Sequence, residues 1–259
     1  MAERTPSATS RPRRIPAVRL ELRKLRRKHL PLVALALMAL ELVWLGYGWS
    51  GDAVSKGDWR AIYWQLPMLN AIFLPLLASI ASSTVCDIES PGGMLKELLT
   101  LQSPRELFRA KWQAITLVLG LLVVAQTAAS LALTSSLGFP SLPDAIAVAQ
   151  YAVSTLAVSL LVATLVQALC LILQNQFLPL VVGVALSFLG LFSMYLPMAF
   201  ARLVPSSYYA LLSTVEMSSD AGRVAFASRA WPVADLAVII ILTVAIYGYA
   251  SRGFSRKEL

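Results

Sequence analysis

Six long apolar runs limit what this chain can fold into, because a helix of about 20 apolar residues crosses the hydrocarbon core of a bilayer. Hydrophobic residues make up 58% of the 259 residues and charged residues only 14%. That balance leaves too little polar surface to coat a soluble core. We predict an all-α integral membrane protein with six transmembrane helices and exclude a soluble enzyme. The predicted spans one to six are residues 30–48, 61–86, 113–135, 145–173, 177–200 and 233–250.

The distribution of positive charge predicts the orientation. Seventeen of the 22 lysines and arginines lie before span one, in the segment 87–112 and after span six. Cytoplasmic loops of membrane proteins carry such an excess. We therefore expect both termini and the segment 87–112 to be cytoplasmic. The expected location is a bacterial-type plasma (inner) membrane, with the chain crossing it several times.

The basic N-terminus divides into two parts. Residues 1–16 are rich in Ser, Thr, Pro and Arg, and this composition predicts a disordered basic tail. Residues 17–29 place Val18, Leu22, Leu25 and His29 on one helical face, with cations over the rest. This pattern predicts an amphipathic helix in the inner membrane interface, with its cations near lipid headgroups. No aromatic residues interleave with the cations, so nucleic acid is not an expected partner.

The segment between spans two and three carries the most informative local signals. After Gly92 and Gly93, a short helix is expected with Met94, Leu95, Leu98 and Leu99 on one side. Ser103, Pro104 and Glu106 then form a capping box, which predicts a second helix that begins at Pro104 and continues into span three. The apolar face of the short helix suits a lipid surface or a groove on a protein equally well.

Six spans and a basic interfacial helix occur together with a set of residues around the segment between spans two and three: Glu89, Gly93, Leu98, Leu99, Ser103, Pro104, Arg105, Leu107 and Lys111. This combination resembles the membrane subunit of ABC-2-type exporters, and is most similar to the bacitracin-resistance and lantibiotic-immunity permeases. It implies that the segment is a coupling helix docking on a separate ATPase subunit, and that spans two and five face a partner protomer across an export path. The implied ATPase-coupling residues are Glu89, Gly93, Met94, Leu95, Leu98, Leu99, Ser103, Pro104 and Arg105. The implied partners are two copies of an ABC ATPase subunit and a second permease chain, either identical or a related paralogue.

Catalytic and cofactor signatures do not occur in these 259 residues. The phosphate-binding pattern G-x-x-x-x-G-K-[ST] does not appear, so ATP and Mg are expected on the partner ATPase and no cofactor is expected in this chain. His29 is the only histidine, and Cys86 and Cys170 stand apart from each other in apolar surroundings. We therefore expect no catalytic residues and no metal site.

Three polar residues inside apolar runs are the candidate functional residues of the membrane core. Glu41, Asn70 and Gln126 each lie about nine residues from the outer end of their spans, which places them at one depth. They either line the translocation path of an amphipathic substrate, such as a peptide antibiotic, a bacteriocin or a lipid-like molecule, or hold spans one to three together by hydrogen bonds. Pro67 and Pro75 in span two, and Pro179 and Pro197 in span five, predict kinks.

The segment 201–232 is long enough for short helices and could form a gate over the exit or an interfacial piece. The leading functional interpretation is the permease subunit of an ATP-driven exporter. The alternative is a non-transporting membrane scaffold or sensor. An intramembrane enzyme is the least consistent class, since one histidine and one embedded carboxylate do not supply an acid–base or metal site.

Overall fold

The computed structural model describes residues 17–50, 58–87, 103–139, 141–173, 177–220 and 223–256. Within these residues, six helices are long and apolar enough to cross a membrane. The prediction of an all-α integral membrane protein with six transmembrane helices is therefore confirmed. Spans one to six are the helices Leu30–Ser50, Arg60–Asp87, Pro104–Ser136, Ala145–Leu173, Phe177–Phe192 and Val233–Arg256.

Three of these spans differ from the predicted bounds by more than two residues at one end. Span three is continuous with the helix predicted to begin at Pro104, so it starts nine residues earlier than 113, with Ser103 as its cap. Span five ends at Phe192 rather than at 200, and one turn of 3-10 helix, Ser193–Tyr195, follows it. Pro197 thus lies beyond span five and kinks no part of it. Span six continues past 250 to Arg256.

A short amphipathic helix, Ala17–Arg27, precedes span one. His29 joins the two helices with a left-handed backbone, φ 55°. The residue after a helix often adopts this conformation, because it lets the last carbonyls find partners; here the Lys28 amide donates to the Leu25 carbonyl. We call the side of the bundle that carries this helix and the end of span six the terminal face. Residues 1–16, the predicted disordered tail, lie outside the described residues.

Spans two and four are the most buried of the six, and spans one and six are the least buried. Span two packs directly against span five, where two glycines replace side chains. A Cβ atom at Gly183 would overlap the side chain of Ser79, and one at Gly190 would lie 3.0 Å from the main-chain carbonyl of Ala71, both in span two. Glycine is therefore required at both positions for the backbones to approach this closely.

The segment between spans five and six forms the opposite side of the bundle, which we call the hairpin face. It contains the short helices Met198–Ala201 and Tyr208–Leu211 and a 3-10 turn, Pro205–Ser207. It also contains two antiparallel strands, β1 (Val215–Asp220) and β2 (Arg223–Ser228), with Val215 opposite Ser228. The hairpin was missed by the sequence analysis, which expected short helices only. It is fixed to span two, since the Arg60 guanidinium Nε donates to Ser228 Oγ at 2.8 Å and Trp64 packs on Phe226.

Candidate functional site in the membrane core

Glu41, Asn70 and Gln126 meet in the interior of the bundle. The Gln126 side-chain amide Nε2 lies 2.7 Å from each carboxylate oxygen of Glu41 and 2.6 Å from Oδ1 of Asn70. All three side chains are at least 98% buried. Spans one, two and three are therefore joined by one amide group, in surroundings where a buried carboxylate needs a hydrogen-bond donor.

The cluster extends to span four through residues that the sequence analysis missed. The Asn70 amide Nδ2 donates to the Tyr151 hydroxyl at 2.9 Å and lies 3.5 Å from Thr155 Oγ1. The Tyr63 ring packs edge-on against Tyr151, with centroids 5.3 Å apart. A signal was present in the sequence, because Tyr151, Thr155 and Ser159 recur every four residues and so share one face of span four. We call Glu41, Asn70, Gln126, Tyr151 and Thr155 the polar cluster.

One acceptor of the polar cluster has no partner among the described residues. The Gln126 carbonyl Oε1 is buried and receives no hydrogen bond. A cavity of about 20 Å³ is lined by Glu41, Gln126 and apolar side chains of spans one to three. This volume fits a water-sized group and no larger molecule. In this conformation the polar cluster therefore links helices, and the cavity beside Glu41 and Gln126 is too small for an amphipathic molecule.

At the terminal face, a second polar contact joins the N-terminal helix to spans two and three. Lys111 of span three is fully buried, and its ammonium Nζ donates to the Val85 carbonyl at 2.8 Å. The same ammonium lies 3.5 Å from a carboxylate oxygen of Glu21, which also pairs with Lys24 at 2.8 Å. The end of span two and the beginning of span three are thus held together immediately beside residues 88–102, which connect them.

At the hairpin face, the segment between spans five and six rests on the polar face of span four. The Tyr209 hydroxyl lies 2.9 Å from Ser159 Oγ, and the Trp231 indole donates to Ser154 Oγ at 3.0 Å. The Tyr208 hydroxyl donates to the Arg202 carbonyl at 3.1 Å. Burial and the nearby Asp235 carboxylate raise the pKa of Tyr208, with Arg202 opposing them, so this phenol stays protonated at neutral pH and remains a donor. The segment therefore reaches into the bundle as far as Ser159, one helical turn past Thr155 of the polar cluster.

No three histidine, cysteine or carboxylate side chains among the described residues lie close enough to hold a metal ion.

The chain matches a known protein family over most of its length. The family described as ABC-2 family transporter protein matches residues 17–190. The chain belongs to this family. No curated protein matches the chain. The ABC-2 chain is thus a multi-pass transmembrane subunit of an ABC transporter, and such a subunit associates with an ABC ATPase subunit and is generally not itself catalytic.

Only some of the residues that the resemblance assigned to ATPase coupling lie within the described residues of this ABC-2 subunit. Ser103 and Arg105 are exposed at the start of span three, and Pro104 between them is half-buried. The capping box is confirmed, since Ser103 Oγ accepts from the Glu106 amide and the Glu106 carboxylate accepts from the Ser103 amide. The remaining coupling residues, Glu89, Gly93, Met94, Leu95, Leu98 and Leu99, lie outside the described residues.

Proposed function

We propose that this ABC-2 subunit is the permease of an ATP-driven exporter of the kind that confers bacitracin resistance or lantibiotic immunity. Its substrate is an amphipathic molecule, such as a peptide antibiotic, a bacteriocin or a lipid-like molecule. Two copies of an ABC ATPase bind ATP and Mg and drive a pair of permease chains. The chain itself contributes the membrane path and the surface that receives the ATPase.

The observation that carries this proposal is the contact that fixes the end of span two to the start of span three, the two helix ends that residues 88–102 connect in the sequence. Lys111 holds span three to the last turn of span two through the Val85 carbonyl. Span three is then one uninterrupted helix from Pro104 to Ser136, and it includes Gln126 of the polar cluster. A force that an ATPase applies to residues 88–102 would therefore be transmitted to the membrane core by this continuous helix. This arrangement favours a coupling role over simple anchoring on lipid.

The orientation follows from the same assignment. In this proposal the terminal face is cytoplasmic, because the ends of spans two and six, the start of span three and the basic N-terminal helix lie there, next to the sequence segments that hold the excess of lysine and arginine. The hairpin face is then external. In this proposal the segment between spans five and six acts as an external gate.

The second permease chain contacts span five in this proposal. Span five keeps an exposed apolar face that includes Val184, Phe188 and Phe192. Span two, by contrast, is largely buried against its own chain and offers little surface to a partner. The resemblance implied that both spans face the partner protomer, and the burial pattern supports this for span five only.

The test is co-purification with the ABC ATPase subunit, followed by ATP hydrolysis in proteoliposomes. We expect no hydrolysis by the permease alone, basal hydrolysis by the complex, and a rise when an amphipathic peptide such as bacitracin or a lantibiotic is added. A complex that forms but responds to no amphipathic compound would favour a scaffold or sensor. Failure of the two chains to associate, or hydrolysis by the permease alone, would refute the proposal.

A further inference from the structure

An apolar groove runs along the outside of the bundle between the N-terminal helix, span one and span three. Its volume is about 390 Å³. Leu22 and Leu25 of the N-terminal helix form the end at the terminal face, and Met38 and Ala125 form the end nearest the bilayer centre. Every residue that lines it is apolar, so the groove suits a hydrocarbon chain and no polar group.

The length of the groove matches one leaflet. Leu30 and Met38 both line it, and the eight residues between them span about 12 Å of helix axis. Half of a hydrocarbon core about 30 Å thick is about 15 Å. The groove therefore extends from the membrane interface to near the bilayer centre, which is the depth that one acyl chain of a phospholipid occupies.

The charges at the mouth of the groove favour an anionic headgroup. Arg19 and Arg23 are exposed on the N-terminal helix, three residues before and one residue after Leu22, which lines the groove. The only acidic residue of that helix, Glu21, is buried and faces Lys24 and Lys111 instead. The exposed surface beside the groove is thus positively charged, and such surfaces attract anionic lipids.

We propose that the groove is a binding site for one anionic phospholipid, with an acyl chain against spans one and three and the phosphate near Arg19 and Arg23. The bound lipid fixes the N-terminal helix in the interface beside the Lys111 contact. The occupant is a membrane lipid rather than free phosphate, because the groove itself has no polar group that could hold an ion. This proposal does not depend on the proposed export function.

The test compares dioleoyl phosphatidylglycerol with dioleoyl phosphatidylcholine, which share their acyl chains, on the purified full chain in detergent. Native mass spectrometry gives the apparent Kd of each lipid, and thermal unfolding gives the accompanying shift in Tm. We expect tighter binding of phosphatidylglycerol and a higher Tm, whereas glycerol phosphate alone should have no effect. Equal binding of the two lipids would overturn the proposal.

Two variants separate the headgroup from the acyl chain. The double variant Arg19→Gln/Arg23→Gln should weaken phosphatidylglycerol binding by roughly tenfold or more, since each basic residue near an anionic headgroup contributes several-fold. Arg109→Gln/Arg252→Gln removes two exposed arginines from the same face of the bundle and is the matched control. It should bind as the unaltered chain does.

Ala125→Phe fills the groove and should abolish preferential binding while the protein stays folded. Val124→Phe adds the same ring to the neighbouring exposed position outside the groove and should have no effect. Loss of binding in the arginine variant but not in Ala125→Phe would mean that the N-terminal helix binds only the general membrane surface, and the groove assignment would fail. A change of oligomeric state in Ala125→Phe would instead identify a second copy of the chain as the occupant and would equally overturn the proposal.

Discussion

The Lys111 ammonium donates a hydrogen bond to the Val85 main-chain carbonyl, with 2.8 Å between Nζ and O. A lysine without solvent exposure needs partners for its charge, and here Glu21 supplies the counter-charge at 3.5 Å. The contact brings together three segments that are distant in sequence: the N-terminal helix, the end of span two and the start of span three. The two helix ends that residues 88–102 connect are therefore fixed to each other at the terminal face.

Lys111→Met should lower the free energy of unfolding by about 1–3 kcal/mol, because the Val85 carbonyl and Glu21 lose a buried donor. Thermal unfolding of the purified protein measures the change. Arg109→Met, at an exposed position of the same helix, is the matched control and should change the free energy little. In the double variant Lys111→Met/Glu21→Gln the two losses should be less than additive. Strict additivity would show that Glu21 and Lys111 do not interact.

Changing Leu98 and Leu99 together to Asp should abolish association with the ATPase, because two charges then occupy the apolar face of the expected coupling helix. Membrane insertion should be unaffected. The measurement is co-purification from membranes that contain both subunits. Met217→Asp/Val224→Asp, at exposed positions of the hairpin, is the control on the opposite face. Wild-type recovery of the ATPase with the leucine variant would show that this segment only rests on lipid.

Glu41→Gln should preserve stability, basal ATP hydrolysis and substrate stimulation of the assembled complex. The new amide still offers an oxygen to the Gln126 Nε2 donor, so the helices stay linked. Glu41→Leu removes that acceptor and should cost on the order of 1 kcal/mol of stability, the usual range for hydrogen bonds between membrane helices. A folded Glu41→Gln complex with normal basal hydrolysis but no stimulation by substrate would instead assign Glu41 to the translocation path.

Gly183→Ala should destabilise the protein by about 1–3 kcal/mol, because its methyl group overlaps Ser79 and forces spans two and five apart. Gly120→Ala and Gly248→Ala are matched controls, since no atom lies within 4 Å of a Cβ at either position. Thermal unfolding distinguishes them. The double variant Gly183→Ala/Ser79→Gly should recover most of the loss. If the alanine at 183 is tolerated alone, the two helices are not in close contact in solution.

The sequence was sufficient to predict the membrane architecture, because hydrophobic length alone determines that six helices cross. It also predicted the start of span three, since a capping box is a local signal carried by Ser103 and Glu106. The hairpin could not be predicted in the same way. Its strands are short, and what fixes them is contact with Arg60 and Trp64, which are more than 150 residues away in the sequence.

The candidate site was predicted in part. Equal depth indicated that Glu41, Asn70 and Gln126 would share one layer, and the structure brings these three side chains into hydrogen-bond contact. Depth does not specify which face of a helix points inward, so the sequence did not assign Tyr151 and Thr155 to the polar cluster. Glu21 and Lys111 were missed as a pair because helix packing, rather than spacing along the chain, brings them together.

Span three has a further consequence as a lever. Lys111 and Gln126 are separated by 15 residues, so Gln126 lies about 22 Å along the axis from the point where the helix is fixed. A tilt of only about 5° around Lys111 would move Gln126 by about 2 Å at this helical rise. The hydrogen bonds from Gln126 to Glu41 and Asn70, at 2.6–2.7 Å, would not survive such a displacement. A tilt of span three too small to change the shape of the bundle would thus break individual hydrogen bonds at its centre.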